Sequence, residues 1–180
     1  MNNNNLDASD ATPESLEGRR NDLLPPAPPP GDMEWTPPMT DPSRRYSTTR
    51  SITKTVCIAC DPRDAFDFLA DLSNWPRWAV VNVKSTHPSE DSDWWTMVTP
   101  HGEARLRIRP DARHGILDHD FVDPQASWTV PARVIANGDG AEFMITFFQP
   151  PGFTDDFFDA QIKLVDIELA KLKELLEAAA

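Results

Sequence analysis

Residues 154–180 read TDDFFDAQIKLVDIELAKLKELLEAAA. Phe158, Ile162, Val165, Leu169, Leu172 and Leu176 recur at alternating steps of four and three, which puts them on one stripe of an α-helix. Phe157, Leu164 and Leu175 widen the stripe, while Lys163, Asp166, Lys171, Lys173, Glu174 and Glu177 fall mostly off it. Thr154 or Asp155 can cap the first turn, because a short side-chain oxygen accepts from the free N–H groups there. Asp155, Asp156 and Asp159 place negative charge at the positive end of the helix dipole. No Gly or Pro interrupts the run. A helix this long needs something large to bury its stripe against. The same stripe suits a seam between two copies of the chain, so monomer and dimer both stay open.

The 180 residues carry a formal net charge of −12, enough chain for one ordinary domain plus a tail. The acidity argues against a nucleic-acid partner, since phosphate recognition needs clustered Lys and Arg. No apolar run approaches the ~20 residues of a membrane span. The N-terminus lacks the basic flank and apolar stretch of a signal peptide, so a cytoplasmic location is the default expectation. Nine of the 18 prolines lie in residues 1–45, where aliphatic residues are few and unpatterned. Such a segment cannot bury enough apolar surface to offset its chain entropy, and a disordered, acidic, Pro-rich tail is expected there. The folded domain is expected over residues 46–180.

Within it, Ser51 to Cys60 alternates and is rich in β-branched residues, a strand signal. Asp61-Pro62 then starts a helix with Asp as cap and Pro at the first helical position. Ser73-Asn74-Trp75-Pro76 breaks that helix, and Pro76-Arg77-Trp78 allows one further turn. Six strand-like runs follow: Val80–Thr86, Trp94–Thr99, Glu103–Arg109, Ile116–Val122, Ser127–Ile135 and Glu142–Gln149. Short turn-rich clusters separate them, which implies antiparallel neighbours. Ala104, Leu106 and Ile108 alternate with Arg105, Arg107 and Arg109, one buried face and one wet. The class is therefore α+β: a curved antiparallel sheet of about seven strands wrapped on a long C-terminal helix, with two short helices after the first strand. A sheet curving away from one helix leaves a gap, a natural place for a ligand.

The sequence resembles the START/Bet v 1-like (SRPBCC) superfamily, and within it the polyketide cyclase/dehydrase-like proteins. The resemblance rests on the strand Ile52–Ile58, the run Asp61-Pro62-Arg63-Asp64-Ala65-Phe66-Asp67-Phe68-Leu69-Ala70-Asp71, the segment Asn74-Trp75-Pro76-Arg77-Trp78, the segment Gly115-Ile116-Leu117-Asp118-His119, and the closing helix. It covers about residues 50–180. It implies a helix-grip fold with a cavity between sheet and helix. Members bind lipids, sterols, polyketides or other apolar molecules, and some are cyclases, dehydratases or hydrolases. The superfamily has no shared catalytic set to carry over.

His119 is the catalytic candidate. It shares a strand face with Leu117 and Phe121, and an imidazole among apolar walls can exchange a proton near neutral pH or bind a ligand oxygen. A core histidine satisfied by its neighbours is the plain alternative. Asp118 and Asp120 face away from it, so a metal site is not expected. Cys57 and Cys60 match C-x-x-C, but on a strand their side chains diverge. Indole rings combine large apolar area with one donor, which suits a flat or lipid-like guest. The expected wall is Trp78, Trp95, Met97, Leu106, Leu117, His119, Phe121, Trp128, Val130, Phe143, Ile145 and Phe147, with Phe157 and Gln161 from the helix. The parity of Trp94 and Trp95 is open, with Trp95 and Met97 favoured inward. No cofactor is expected.

The leading expectation is binding of a small apolar ligand. One alternative is a cyclase- or dehydratase-type enzyme using His119, and another is an interaction module with a vestigial cavity. An interaction module would have its cavity filled by its own aromatic rings.

Overall fold

The computed structural model describes residue 45 and residues 47–91, 93–124 and 127–180. The tail expected over residues 1–45 lies outside them apart from Arg45.

The chain opens with strand β1 (Ser51–Ile58), followed by helix α1 (Pro62–Ala70). Asp61 caps α1 by accepting from Arg63 N at 2.7 Å, and Pro62 occupies the first turn, where its missing N–H costs nothing. A single 3₁₀ turn, Leu72–Asn74, leads into the four-residue helix α2 (Trp75–Trp78). Seven strands follow: β2 (Ser85–Pro88), β3 (Trp95–Thr99), β4 (Gly102–Asp111), β5 (Ile116–Val122), β6 (Ser127–Val130), β7 (Ala132–Asn137) and β8 (Gly140–Phe148). Helix α3 (Asp155–Glu177) closes the chain, capped by Thr154, whose hydroxyl accepts from Phe157 N.

The sheet has eight strands, one more than the sequence predicts, in the order β1-β8-β7-β5-β4-β3-β2, with β6 pairing β5 off this path. All the pairings are antiparallel. The extra strand arises at Pro131, which has no N–H to donate and divides the run expected over Ser127–Ile135. Before it, β6 pairs β5; after it, β7 pairs β8. The expected strand over Val80–Thr86 is a strand only from Ser85. Residues 79–83 form turns instead, with Asn82 N and Val83 N both donating to Ala79 O.

Gly115 brings β5 close to β7. It has φ +64°, and a Cβ there would lie 2.0 Å from Val134 O, so only glycine fits. The stripe of α3 is buried as expected: Phe158, Ile162, Val165, Leu169, Leu172 and Leu176 all face the protein, with Leu172 fully enclosed. One flank of α3 is tied to β1 by charged and polar contacts. Arg50 meets Asp159 at 2.7 Å, Lys54 meets Asp166 at 2.7 Å, Lys173 Nζ donates to Cys57 O at 2.7 Å, and Ala59 N donates to Glu177 at 2.8 Å. No helix among the described residues is long and apolar enough to cross a membrane.

Candidate functional site

The cross-strand register defines the inner face of the sheet. Trp95 lies opposite Leu106, Leu106 opposite Phe121, Ile108 opposite His119, and His119 opposite Val130. On the far side of Pro131, Ala132 lies opposite Ile145 and Val134 opposite Phe143. Side chains of one parity therefore form a continuous apolar floor beneath the helices.

A cavity lies on this floor. Ile108, Leu117, His119, Ala132, Phe143 and Ile145 contribute from the sheet, and Leu69, Trp75 and Trp78 from the helices. Its free volume is about 10 Å³, near the threshold at which a single water fits. The protein's own rings account for the small volume. Trp75 stands edge-on to His119 with centroids 4.9 Å apart, Trp75 and Trp78 meet at 5.6 Å, and Trp78 meets Phe143 at 6.3 Å.

Local sequence explains how these indoles are placed. Trp75 Nε1 donates to Leu69 O at 3.0 Å and Asn74 Nδ2 donates to Phe68 O at 3.1 Å, which folds the turn back onto the end of α1. Trp78 Nε1 is buried and has no hydrogen-bond partner among the described residues. An unpaired buried donor costs about 1–3 kcal/mol relative to a satisfied one.

Behind Trp78, residues 79–83 are held from α3 by Glu168. Its Oε1 accepts from Val81 N at 3.1 Å and Asn82 N at 2.9 Å, and its Oε2 accepts from Asn82 Nδ2 at 3.1 Å. Glu168 is only 4% exposed, and burial raises its pKa against the lowering effect of the Asn82 and Val81 bonds. The carboxylate thus supplies the acceptors that the turn after Trp78 lacks.

His119 is buried, with Nδ1 3.2 Å from Leu117 O. A carbonyl oxygen only accepts, so Nδ1 carries the proton of the neutral ring and Nε2 is left with a lone pair. Burial lowers the His119 pKa to about 4, outweighing the bond to Leu117 O and the charges of Asp118 and Asp120, which act the other way. The imidazole is therefore neutral at neutral pH, a hydrogen-bonding group and a weak base.

The two carboxylates lie across the sheet from it, as the alternation predicts. Asp120 accepts from Arg107 and Arg109, each at 3.0 Å, and from Thr129 Oγ1 at 2.6 Å. Asp118 accepts from Ala132 N at 3.0 Å and from Arg133. Trp94 belongs to this outer face too, with the guanidinium groups of Arg105 and Arg107 at 4.5 and 4.8 Å from its ring. The two cysteines are free and diverge: Cys57 is exposed, whereas Cys60 is buried, with its thiol pKa raised by burial and by the nearby Asp64, Asp61 and Glu177.

Of the residues expected in the wall, Trp78, Leu117, His119, Phe143 and Ile145 line the cavity. Met97, Leu106 and Val130 are buried in the core beyond it, and Trp95, Phe121 and Phe147 are half-buried against the same core. Trp128 and Phe157 are corrections. Trp128 sits on the short strand β6 and stacks on Phe121 at 4.7 Å with its outer side in solvent. Phe157 lies in the first turn of α3, 48% exposed, and packs edge-on against Phe153 instead. Gln161 is half-buried and is not part of the cavity wall. Sequence reasoning passed over Leu69, Trp75, Ile108 and Ala132 as wall residues, and Glu168 altogether. Glu168 was findable: it stands three residues after Val165, on the flank of the apolar stripe.

No family model matches the chain. The uncharacterized protein Rv2574 of Mycobacterium tuberculosis is 39% identical over 69 residues, which is 38% of this chain and 36% of that protein. The same figures hold for the uncharacterized protein Mb2604 of Mycobacterium bovis. The chain thus spans about a third of the length of these relatives. Among solved structures, a START superfamily protein from Mycobacterium smegmatis superposes with a TM-score of 0.57 at 10% identity, covering 72% of this chain and 99% of that one. Ara h 8.0201 superposes with a TM-score of 0.54 at 9% identity, covering 72% and 99%. The di-domain ARO/CYC StfQ from the steffimycin biosynthetic pathway gives 0.51 at 17% identity, covering 70% and 44%. The chain has the START/Bet v 1-like helix-grip fold.

Proposed function

We propose that this domain binds a small, largely apolar molecule between the inner face of the sheet and the helices, with α2 moving to admit it. The observation that carries this reading is Trp78. Its N–H is buried and unpaired among the described residues, and its ring lines a cavity whose other wall residues, His119 apart, are apolar or aromatic. A wall serving packing alone gains nothing from an unpaired donor, and a phenylalanine there would avoid the penalty. Apolar walls with one or two polar groups are what ligand sites of this kind share. The START-like and cyclase-type structural neighbours support the same reading at the level of fold.

The small free volume favours a second reading, an interaction module whose cavity is closed by Trp75, Trp78 and Phe143. Titration with an apolar naphthalene dye separates the two. Ligand binding predicts micromolar affinity, about −8 kcal/mol, together with a change in tryptophan emission. Absence of saturable binding, with the fold intact, overturns the first reading in favour of the second.

A further inference from the structure

We propose that Trp78 and His119 form a donor–acceptor pair that selects a neutral hydroxyl group on the bound molecule, its oxygen accepting from Trp78 Nε1–H and its proton going to His119 Nε2. This rests on the reading of the cavity as a binding site and names the chemistry that site prefers.

The cavity wall carries few polar side-chain atoms. Trp75 Nε1–H is already spent on Leu69 O, and His119 Nδ1–H on Leu117 O. Two capacities are left. One is the unpaired donor of Trp78. The other is the lone pair on His119 Nε2, the ring nitrogen not used in the bond to Leu117 O. A carbonyl or ether oxygen satisfies only the first, and an ammonium or amide N–H only the second. A hydroxyl both accepts and donates, so it satisfies both at once. Charge points the same way. Among the described residues no Lys, Arg, Asp or Glu lines the cavity, so an ionised carboxylate or amine would be buried there without a counter-charge from them. The neutral state of the His119 ring supports the acceptor role, because a protonated ring has no lone pair.

Isothermal titration of the full chain with 1-naphthol, 1-methoxynaphthalene and naphthalene tests this. The three share an apolar body and differ in offering donor plus acceptor, acceptor alone, or neither. The expected order is naphthol tightest, the methyl ether intermediate and naphthalene weakest, with about tenfold between the ends. In His119→Phe the naphthol and its ether should come within about twofold of each other, and in Trp78→Phe the ether and naphthalene should do the same. In the wild type, the ¹⁵N-resolved indole proton of Trp78 should move downfield with naphthol and stay near its place with naphthalene. That measurement carries the test even where a variant fails to fold. Equal affinities for naphthol and naphthalene, or an unmoved Trp78 signal with naphthol, overturn the hydroxyl preference and leave the cavity reading standing. Failure of all three probes to bind removes both.

Discussion

Glu168 grips Asn82 through backbone and side chain at once, Oε1 taking the Asn82 N–H at 2.9 Å and Oε2 the Asn82 side-chain amide at 3.1 Å. The grip joins the middle of the long helix to the turn that follows Trp78. A buried carboxylate therefore fixes the position of the indole that closes the cavity.

Truncation to Glu168→Ala removes the carboxylate from the N–H groups of Val81 and Asn82; the Asn82 N–H keeps Ala79 O, so the cost of about 1–3 kcal/mol per buried group falls on the Val81 N–H and the Asn82 side-chain amide. Glu168→Gln keeps an oxygen for both backbone N–H groups, and the Asn82 amide can turn to meet the new NH₂, so its cost should be much smaller. Chemical denaturation at fixed pH checks the ordering. Equal losses in the two variants would show that the carboxylate acts by shape alone.

The same residue sets a pH dependence. Folding raises the Glu168 pKa above 4.5, so its contribution to stability is fully present below that pH and is lost as pH rises through the higher folded value. The stability difference between wild type and Glu168→Gln should therefore shift in favour of the variant as pH rises from 4 to 7. A difference independent of pH counts against a raised pKa.

His119 pulls the other way. Its folded pKa is lowered from 6.5 to about 4, so its contribution is present above pH 6.5 and is lost as pH falls toward 4. The full shift corresponds to a loss on the order of 3 kcal/mol. Over the upper part of the acid range the two groups partly cancel. His119→Phe should remove the acid-labile part, and the variant should gain on the wild type as pH drops from 7 to 4. Parallel pH–stability curves for the two proteins would refute a buried neutral imidazole.

On the outer face, Asp120 is 2% exposed and holds Arg107, itself largely buried, as well as Arg109 and Thr129. Asp120→Ala strands a guanidinium with no carboxylate and should cost about 3–5 kcal/mol, as when one partner of a buried ion pair is removed. Retention of Trp emission from Trp94 and a loss below about 1 kcal/mol would show the cluster to be as weak as an exposed pair.

Leu169→Ala should cost about 2–5 kcal/mol, as buried leucine truncations do. A loss below about half a kcal/mol would put Leu169 at the surface and contradict the helix register.

The long helix was legible because its stripe runs for six apolar positions without a break, and β4 because Ala104, Leu106 and Ile108 alternate with arginines. His119 was placed correctly by parity alone, because a strand offers only two faces. What stayed illegible depends on where elements end in space. Trp128 and Phe157 have the right parity or helical position, but both stand beyond the edge of the covered floor, and no local pattern encodes that edge. The closure of the cavity was hidden for a similar reason. It follows from how Trp75 and Trp78 of α2 meet Phe143 of β8, two elements far apart in sequence. Glu168 reads as one more solvated charge until the turn at 79–83, whose Val81 and Asn82 N–H groups reach its carboxylate, is set beside it.

The ties along α3 are lopsided. Toward β1 they come from Arg50, Lys54, Lys173 and the Ala59–Glu177 bond, spread over most of the helix length. Toward the turn after α2, among the described residues, they come from Glu168 alone. Mechanically this is a hinge with four pins on one side and a single catch on the other. Loss of the Glu168 catch would free the turn after Trp78, and with it α2, while the β1 side stays pinned. Any opening between the layers would therefore begin beside the Trp78 indole and not along the β1 edge.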